Sequence, residues 1–98
     1  MNREILAAIV EIQRSGETAA LVTLCSTRGS TPRKAGTKML VYPDGKTIGT
    51  IGGGALEHQA IQKALEVIRT KKPVLWERDL ADEGMICGGS GTVYIECI

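Results

Sequence analysis

Three consecutive glycines, Gly52, Gly53 and Gly54, are the feature that most constrains how this chain can fold. The β-branched residues at 47, 48, 50 and 51 favour an extended strand before them, and helical spacing of apolar residues begins directly after them. We call these three residues the glycine turn. A bare backbone before a helix N-terminus presents amide groups and a positive dipole end, which suits a phosphate or carboxylate. The same pattern also occurs as a plain tight turn, so both interpretations stay open here.

The composition indicates one globular domain with no large electrostatic field. The chain has 98 residues, of which 43% are hydrophobic and 23% charged, and its net charge is +1. This charge gives no general attraction for nucleic acid or an anionic membrane, and one Trp, two Tyr and no Phe offer no platform for stacking bases. We find neither a membrane-spanning apolar run nor a signal peptide's apolar stretch, and we therefore expect a cytoplasmic location.

Hydrophobic periodicity predicts an α+β fold with the order αβββαββ. Apolar residues recur at helical spacing over residues 2–15, where Asn2 is the expected cap, and over residues 55–70. Between and after these helices, β-prone runs predict strands at 18–26, 37–42, 47–51, 73–80 and 92–98. The turn sequence Pro-Asp-Gly-Lys at 43–46 joins two of them into a hairpin. We expect one mixed sheet with both helices packed on it.

A loop rich in cations and hydroxyls precedes the hairpin. Residues 27–36, which we call the cationic loop, contain Arg28, Ser30 and Arg33. Arginine forks onto phosphate or carboxylate oxygens and serine adds a donor, although a solvated connection would have a similar composition. The hairpin would bring this loop beside the glycine turn, since the outer ends of two antiparallel arms are neighbours. The two segments together predict an anion site at one edge of the sheet.

The three cysteines favour neither a disulfide framework nor a zinc site, since their number is odd and no CxxC spacing occurs. We expect Cys25 and Cys97 to be core thiols, because each lies in an apolar strand. Cys87 instead lies in a second loop, residues 81–91, and is followed by Gly88 and Gly89. An accessible thiol there suits a soft metal or a sulfur. No motif links it to His58, the only histidine, so we expect no catalytic residue and no enzyme.

Four stretches together resemble one known family. They are Arg-Gly-Ser-Thr-Pro-Arg at 28–33, Met-Leu-Val-Tyr-Pro-Asp-Gly at 39–45, Gly-Thr-Ile-Gly-Gly-Gly-Ala-Leu-Glu at 49–57 and Gly-Met-Ile-Cys-Gly-Gly at 84–89. In order and spacing they resemble the N-terminal domain of the XdhC/CoxI family, the xanthine dehydrogenase accessory proteins. The resemblance implies a maturation factor that transiently binds molybdenum cofactor (molybdopterin), helps it to receive its terminal sulfur and passes it to a molybdenum hydroxylase. The implied cofactor-binding residues are Arg28, Ser30, Arg33, Gly52, Gly53, Gly54, Glu57, Cys87, Gly88 and Gly89, with Cys87 also as the metal ligand.

The chain departs from this family in two respects. Family members commonly carry a cysteine directly after the three glycines, where this chain has Ala55. Longer members continue into a Rossmann-like domain, whereas this sequence ends at Ile98, so we expect a single domain or one half of a split protein. Expected partners are the hydroxylase client, a cysteine desulfurase, a second copy of the chain and a separate Rossmann-domain protein. The alternatives are a regulatory module that binds a phosphate ligand or nucleotide, and a protein-interaction subunit.

Overall fold

The computed structural model describes residues 2–28, 35–79 and 90–98. Its helices and strands follow the predicted order αβββαββ and the predicted α+β class. The elements are α1 (Arg3–Ser15), β1 (Ala20–Arg28), β2 (Lys38–Val41), β3 (Thr47–Gly49), α2 (Gly54–Thr70), β4 (Val74–Asp79) and β5 (Ser90–Cys97). None of the helices in this described part is both long and apolar enough to cross a membrane.

The five strands form one sheet in the order β3-β2-β1-β5-β4, and all four neighbouring pairs are antiparallel. This corrects the expected mixed sheet. A helix that links two strands often makes them parallel neighbours, as in a crossover connection. In this fold α2 connects β3 to β4, which lie at opposite edges of the sheet, so the crossover creates no parallel neighbours.

The two helices lie on opposite faces of the sheet. Along β1, side chains alternate between faces: Ala20, Val22 and Leu24 join the core beneath α2, whereas Leu21 packs beneath α1. All four residues are buried, so this part of the strand is covered on both faces. The result is a three-layer arrangement with an almost entirely aliphatic interior.

The hairpin over residues 37–51 is confirmed. Its arms pair Leu40 with Ile48 and Val41 with Thr47. At the turn, Gly45 has φ +89° and its amide donates to the carbonyl of Tyr42 at 2.9 Å. Glycine adopts this left-handed conformation without a steric penalty, which is why the Pro-Asp-Gly-Lys sequence predicted the turn.

The helix ends lie within one residue of their predicted positions. The Asn2 side chain accepts a hydrogen bond of 2.7 Å from the amide of Glu4, as an N-cap does, and Gly16 ends α1 with φ +76°. Helix α2 begins at Gly54, one residue earlier than expected. It ends at Thr70, and the C-cap residue Lys71 has a left-handed conformation with φ +61° and donates its amide to the Val67 carbonyl at 2.8 Å.

Candidate functional site at one end of the sheet

The described residues that flank the two segments with predicted site residues include three at the same end of the sheet. Arg28, the last residue of β1, pairs with Ser90, the first residue of β5, and Ser90 pairs with Asp79, the last residue of β4. Arg28, Ser90 and Asp79 therefore lie side by side on three neighbouring strands. The segments 29–34 and 80–89 directly follow Arg28 and Asp79 in the sequence. Cys87, Gly88, Gly89, Ser30 and Arg33 belong to these two segments and lie outside the described residues.

The glycine turn follows the strand β3 at that same end. Gly49, the last residue of β3, pairs with Met39 near the start of β2, and Lys38 at the start of β2 pairs with Thr23 of β1. Strand β1 then continues past Thr23 as far as Arg28. The register thus places the exit of β3, the entry of β2 and the final residues of β1 at one end of the molecule, as the sequence predicted for the hairpin.

All three residues of the glycine turn have positive φ. The values are +124° at Gly52, +77° at Gly53 and +65° at Gly54, a conformation that side chains disfavour. A Cβ atom built on Gly53 or Gly54 would have no heavy atom within 4 Å. At Gly53 and Gly54, glycine is therefore required by the backbone conformation rather than by crowding, and the turn is open on that side.

The turn is held from inside by the carboxylate of Glu57. Its Oε1 atom accepts hydrogen bonds from the amide of Ile51 at 3.1 Å, from the amide of Gly53 at 3.2 Å and from the hydroxyl of Thr50. The Thr50 hydroxyl in turn accepts from the amide of Gly52 at 3.1 Å. The amides of Gly52 and Gly53 thus already have partners within the chain.

The N-terminus of α2 offers the amides that remain. Gly53 is the N-cap and has no side chain with which to cap the helix. Within the described ranges, the amides of Gly54 and Ala55 have no hydrogen-bond partner. The first amides of a helix have no intrahelical acceptor, and they lie at the positive end of the helix dipole. An anion approaching the turn would meet these two amides.

A pocket of about 450 Å³ lies beside the turn, between the start of α1 and the paired ends of β2 and β3. The Nζ atom of Lys38, one of its lining residues, donates to the Thr23 hydroxyl at 3.1 Å, which fixes a positive charge in its wall. The pocket is lined by Ala35 and Gly36 at the end of the cationic loop and by Gly49 and Thr50, which precede the glycine turn. The lining residues are Asn2, Ile5, Ala35, Gly36, Thr37, Lys38, Gly49 and Thr50.

Sequence reasoning missed two residues that shape this region, Thr50 and Gly49. A threonine two residues before a glycine can accept from the second following amide, and Thr50 does so. Gly49 has φ +82°, and a Cβ atom there would lie 2.8 Å from the Lys38 carbonyl oxygen and 3.0 Å from Ile5 Cδ1. A glycine inside a strand often marks such a close approach, and that signal was present in the sequence.

The structure corrects the expectation that Cys25 is a core thiol: it is exposed. Exposure rises along this face of β1, from buried Leu21 through half-buried Thr23 to exposed Cys25. The ladder between β1 and β5 also shifts register between Leu24 and Ser26, so Cys25 lies at an irregularity. Cys97 is half-buried, so it is not a fully buried core thiol either, although it packs against the core.

The other described candidates for chemistry are few. His58 is exposed on the first turn of α2, as a surface histidine would be. Among residues 2–28, 35–79 and 90–98, no cluster of three or more His, Cys, Asp or Glu side chains could hold a metal ion.

The described residues form a small α+β domain with a glycine turn at one end of an antiparallel sheet. Residues 12–79 match the model of the XdhC and CoxI family. The chain belongs to this family, as the four sequence stretches predicted.

Relatives and a solved structure extend this match. The chain is 42% identical over 67 residues to the molybdenum cofactor insertion chaperone PaoD of Escherichia coli (strain K12), covering 68% of this chain and 21% of PaoD. It is 38% identical over 81 residues to the uncharacterized protein YqeB of the same strain, covering 78% of this chain and 15% of YqeB. It is 31% identical over 96 residues to a probable xanthine dehydrogenase subunit of Bacillus subtilis (strain 168), covering 93% of this chain and 28% of that protein.

The crystal structure of a xanthine dehydrogenase from Bacillus halodurans contains the same fold. It superposes with a TM-score of 0.78 at 26% sequence identity, over 93% of this chain and 29% of that chain. The chain therefore spans less than a third of the length of each of these relatives.

Proposed function

We propose that this protein is a maturation chaperone that binds molybdenum cofactor as transient cargo. In this role it assists sulfuration of the cofactor and its insertion into a xanthine dehydrogenase-type molybdenum hydroxylase. The observation that carries the proposal is that the glycine turn lies at the same end of the sheet as Arg28, Ser90 and Asp79, which flank the two loop segments. The similarity to PaoD, a molybdenum cofactor insertion chaperone, is our reason for proposing molybdenum cofactor as the ligand of this region.

We propose that the two ends of the cofactor are bound by two different kinds of protein group. The pterin carries a phosphate, and we assign to it the side chains of Arg28, Ser30 and Arg33 together with the free amide of Gly54. Arginine forks and helix-terminal amides are the groups that bind phosphate most readily in proteins. The metal end is soft, and we assign it to the Cys87 thiolate, with Gly88 and Gly89 leaving room around the sulfur.

Two described features fit a cargo of this size and charge. The open side of the glycine turn, where Gly53 and Gly54 face no heavy atom, lets a ligand approach the backbone. The adjoining pocket of about 450 Å³ has the volume of a small-molecule site and a lysine in its wall. Gly52 and Gly53 contribute shape to this site, since their amides are already bonded within the chain.

The proposed role requires protein partners. They are a molybdenum hydroxylase client that accepts the loaded cofactor and a cysteine desulfurase that supplies the sulfur. A separate Rossmann-domain protein is a further proposed partner. We also propose that a second copy of the chain can associate with it. We assign the chain no catalytic residue.

A second candidate function is regulation by a phosphate ligand or nucleotide. The open amides of Gly54 and Ala55 favour it, because they could bind any phosphate. The protein should therefore be purified from a host that makes molybdenum cofactor and, as a control, from one that does not. Pterin fluorescence after oxidation and molybdenum content then measure the cargo.

The chaperone proposal predicts both pterin and molybdenum in protein from the first host and neither in protein from the control host. Absence of both from the first preparation, together with tight nucleotide binding, would contradict the chaperone function and support the regulatory module. Nucleotide binding can be measured calorimetrically on the same sample.

A further inference from the structure

We infer that Glu57 is an internal anion that shapes the glycine turn, and that it is a positioning residue rather than a ligand contact. Family resemblance alone places it among the cofactor-binding residues. Its hydrogen bonds give a different role. The amides of Ile51 and Gly53 already donate to Glu57 and so are not available to an external phosphate. The amides of Gly54 and Ala55 remain available.

A single oxygen of Glu57 makes all three contacts. Oε1 accepts from the Thr50 hydroxyl and from the amides of Ile51 and Gly53, so it holds both sides of the turn. Hydrogen bonds to an ionised acceptor are about twice as strong as neutral ones. In addition, Glu57 lies in the first turn of α2, where the dipole stabilises a carboxylate.

The backbone of the turn needs such an internal support. Three successive positive φ values form a conformation that few chain segments adopt, and glycine loses more conformational freedom on folding than any other residue. No side chain of the glycines themselves can fix the turn. The carboxylate reaches back from the first turn of the helix and fixes the turn through backbone amides that lie before and within it.

The charge of Glu57 also argues against direct contact with the ligand. A carboxylate beside a phosphate would raise the free energy of the bound state by like-charge repulsion. With its Oε1 directed into the turn, the carboxylate takes the place of an anion at the amides of Ile51 and Gly53. The phosphate of a ligand then binds further along, at the amides of Gly54 and Ala55. This last step rests on the proposed function, whereas the role of Glu57 in the turn does not.

The test compares Glu57→Gln with Glu57→Ala. Glutamine keeps an oxygen that can accept the same three bonds but removes the charge, whereas alanine removes the acceptor. Glu66→Gln is the matched control, since Glu66 is an exposed carboxylate on the same helix, 3.9 Å from Arg69. Hydrogen exchange of the Ile51 and Gly53 amides is measured without ligand, and affinity for molybdopterin is measured separately.

We expect Glu57→Gln to lose about threefold in both amide protection and molybdopterin affinity, because glutamine keeps the acceptor but its uncharged hydrogen bonds are weaker. Glu57→Ala should lose at least about tenfold in amide protection, the effect of losing hydrogen bonds to a charged group, and a similar factor in affinity. The Glu66→Gln control should change neither quantity.

Two results would overturn the inference. One is a Glu57→Gln protein that keeps amide protection but loses affinity tenfold, which would make the carboxylate a ligand contact. The other is a folded Glu57→Ala protein with unchanged protection at Ile51 and Gly53. Should the alanine variant fail to fold, the glutamine variant still decides between positioning and contact. If the unmodified protein binds no molybdopterin, the proposed function fails, but the exchange measurements still test the role of Glu57 in the turn.

Discussion

Two glycines of the hairpin share a backbone conformation but differ in what surrounds them. Gly49 has φ +82° and Gly45 has φ +89°, so alanine is strained at either position. A Cβ atom at Gly45 meets nothing within 4 Å, whereas at Gly49 it would lie 2.8 Å from the Lys38 carbonyl oxygen. We expect Gly45→Ala to lower the free energy of unfolding by about 1–2 kcal/mol through backbone strain alone.

The clash at Gly49 adds an overpacking cost, so Gly49→Ala should destabilise by about 3 kcal/mol. Urea unfolding of the two variants measures the difference. Equal destabilisation would show that the contact between β2 and β3 yields without cost and that only the conformation requires glycine at this position.

The exposed position of Cys25 changes how the role of Cys87 must be tested. Both thiols are expected to react with iodoacetamide in the native protein, because reactivity requires access and Cys25 is exposed. Bound cofactor should protect Cys87 several-fold and leave Cys25 unchanged, since only Cys87 is assigned to the metal. Peptide mass spectrometry of loaded and unloaded protein reads both sites at once. Protection of Cys25 with free labelling of Cys87 would reverse the assignment.

At the scale of the helices and strands, a valine-to-alanine substitution can be compared at a buried position of α2 and an exposed position of α1. Val67 in α2 is 1% exposed and packs into the larger core, whereas Val10 in α1 is 54% exposed. Valine to alanine removes two methyl groups in each case and changes helix propensity equally. We expect Val67→Ala to cost about 2 kcal/mol of stability through lost burial and an unfilled cavity.

Val10→Ala should stay within about 0.5 kcal/mol of the unmodified protein. Thermal or urea unfolding, analysed as a two-state transition, gives both values. A cost at Val10 as large as that at Val67 would mean that the outer side of α1 is covered in solution.

The helices and strands were also the most predictable part of the molecule. Helical spacing gave both helices, and the Pro-Asp-Gly-Lys turn gave the hairpin, because these signals are local in the chain. The antiparallel sheet was not predicted, since the position of β4 depends on where the chain leaves α2 after crossing the sheet. The exposure of Cys25 was missed for a related reason. An apolar run predicts a strand, but the length of that strand that α1 covers depends on tertiary packing.

For the molecule as a whole, the proposed site and the stabilising core depend on different residues. Arg33→Ala should weaken cofactor binding about tenfold or more, because an arginine–phosphate contact is charge-assisted, while the free energy of unfolding changes little. The matched control is Arg69→Ala. Arg69 is an exposed arginine in the last turn of α2, the opposite end of the helix from the glycine turn. It should affect neither quantity measurably. Equal losses of binding and stability at Arg33 would show that its role is structural.

The candidate site was only partly accessible to sequence reasoning. The three glycines indicated a tight turn, and in the structure all three have positive φ. What the sequence did not show is that the amides of Gly52 and Gly53 are already bonded to Thr50 and Glu57. The position of Glu57 in the first turn of α2 is enough to explain a favourable interaction with the helix dipole. Only the three-dimensional arrangement shows which donors its carboxylate contacts.

The proposed function requires that one end of the sheet holds molybdenum cofactor with Cys87 as the metal ligand. The decisive test is a titration of the purified protein with molybdenum cofactor, run beside Cys87→Ser under anaerobic conditions. We predict saturable binding with one cofactor per chain, and at least about tenfold weaker binding by the serine variant, since a hydroxyl is a poor ligand for a soft metal. No saturable binding by the unmodified protein, or equal affinity of the two proteins, would contradict this assignment.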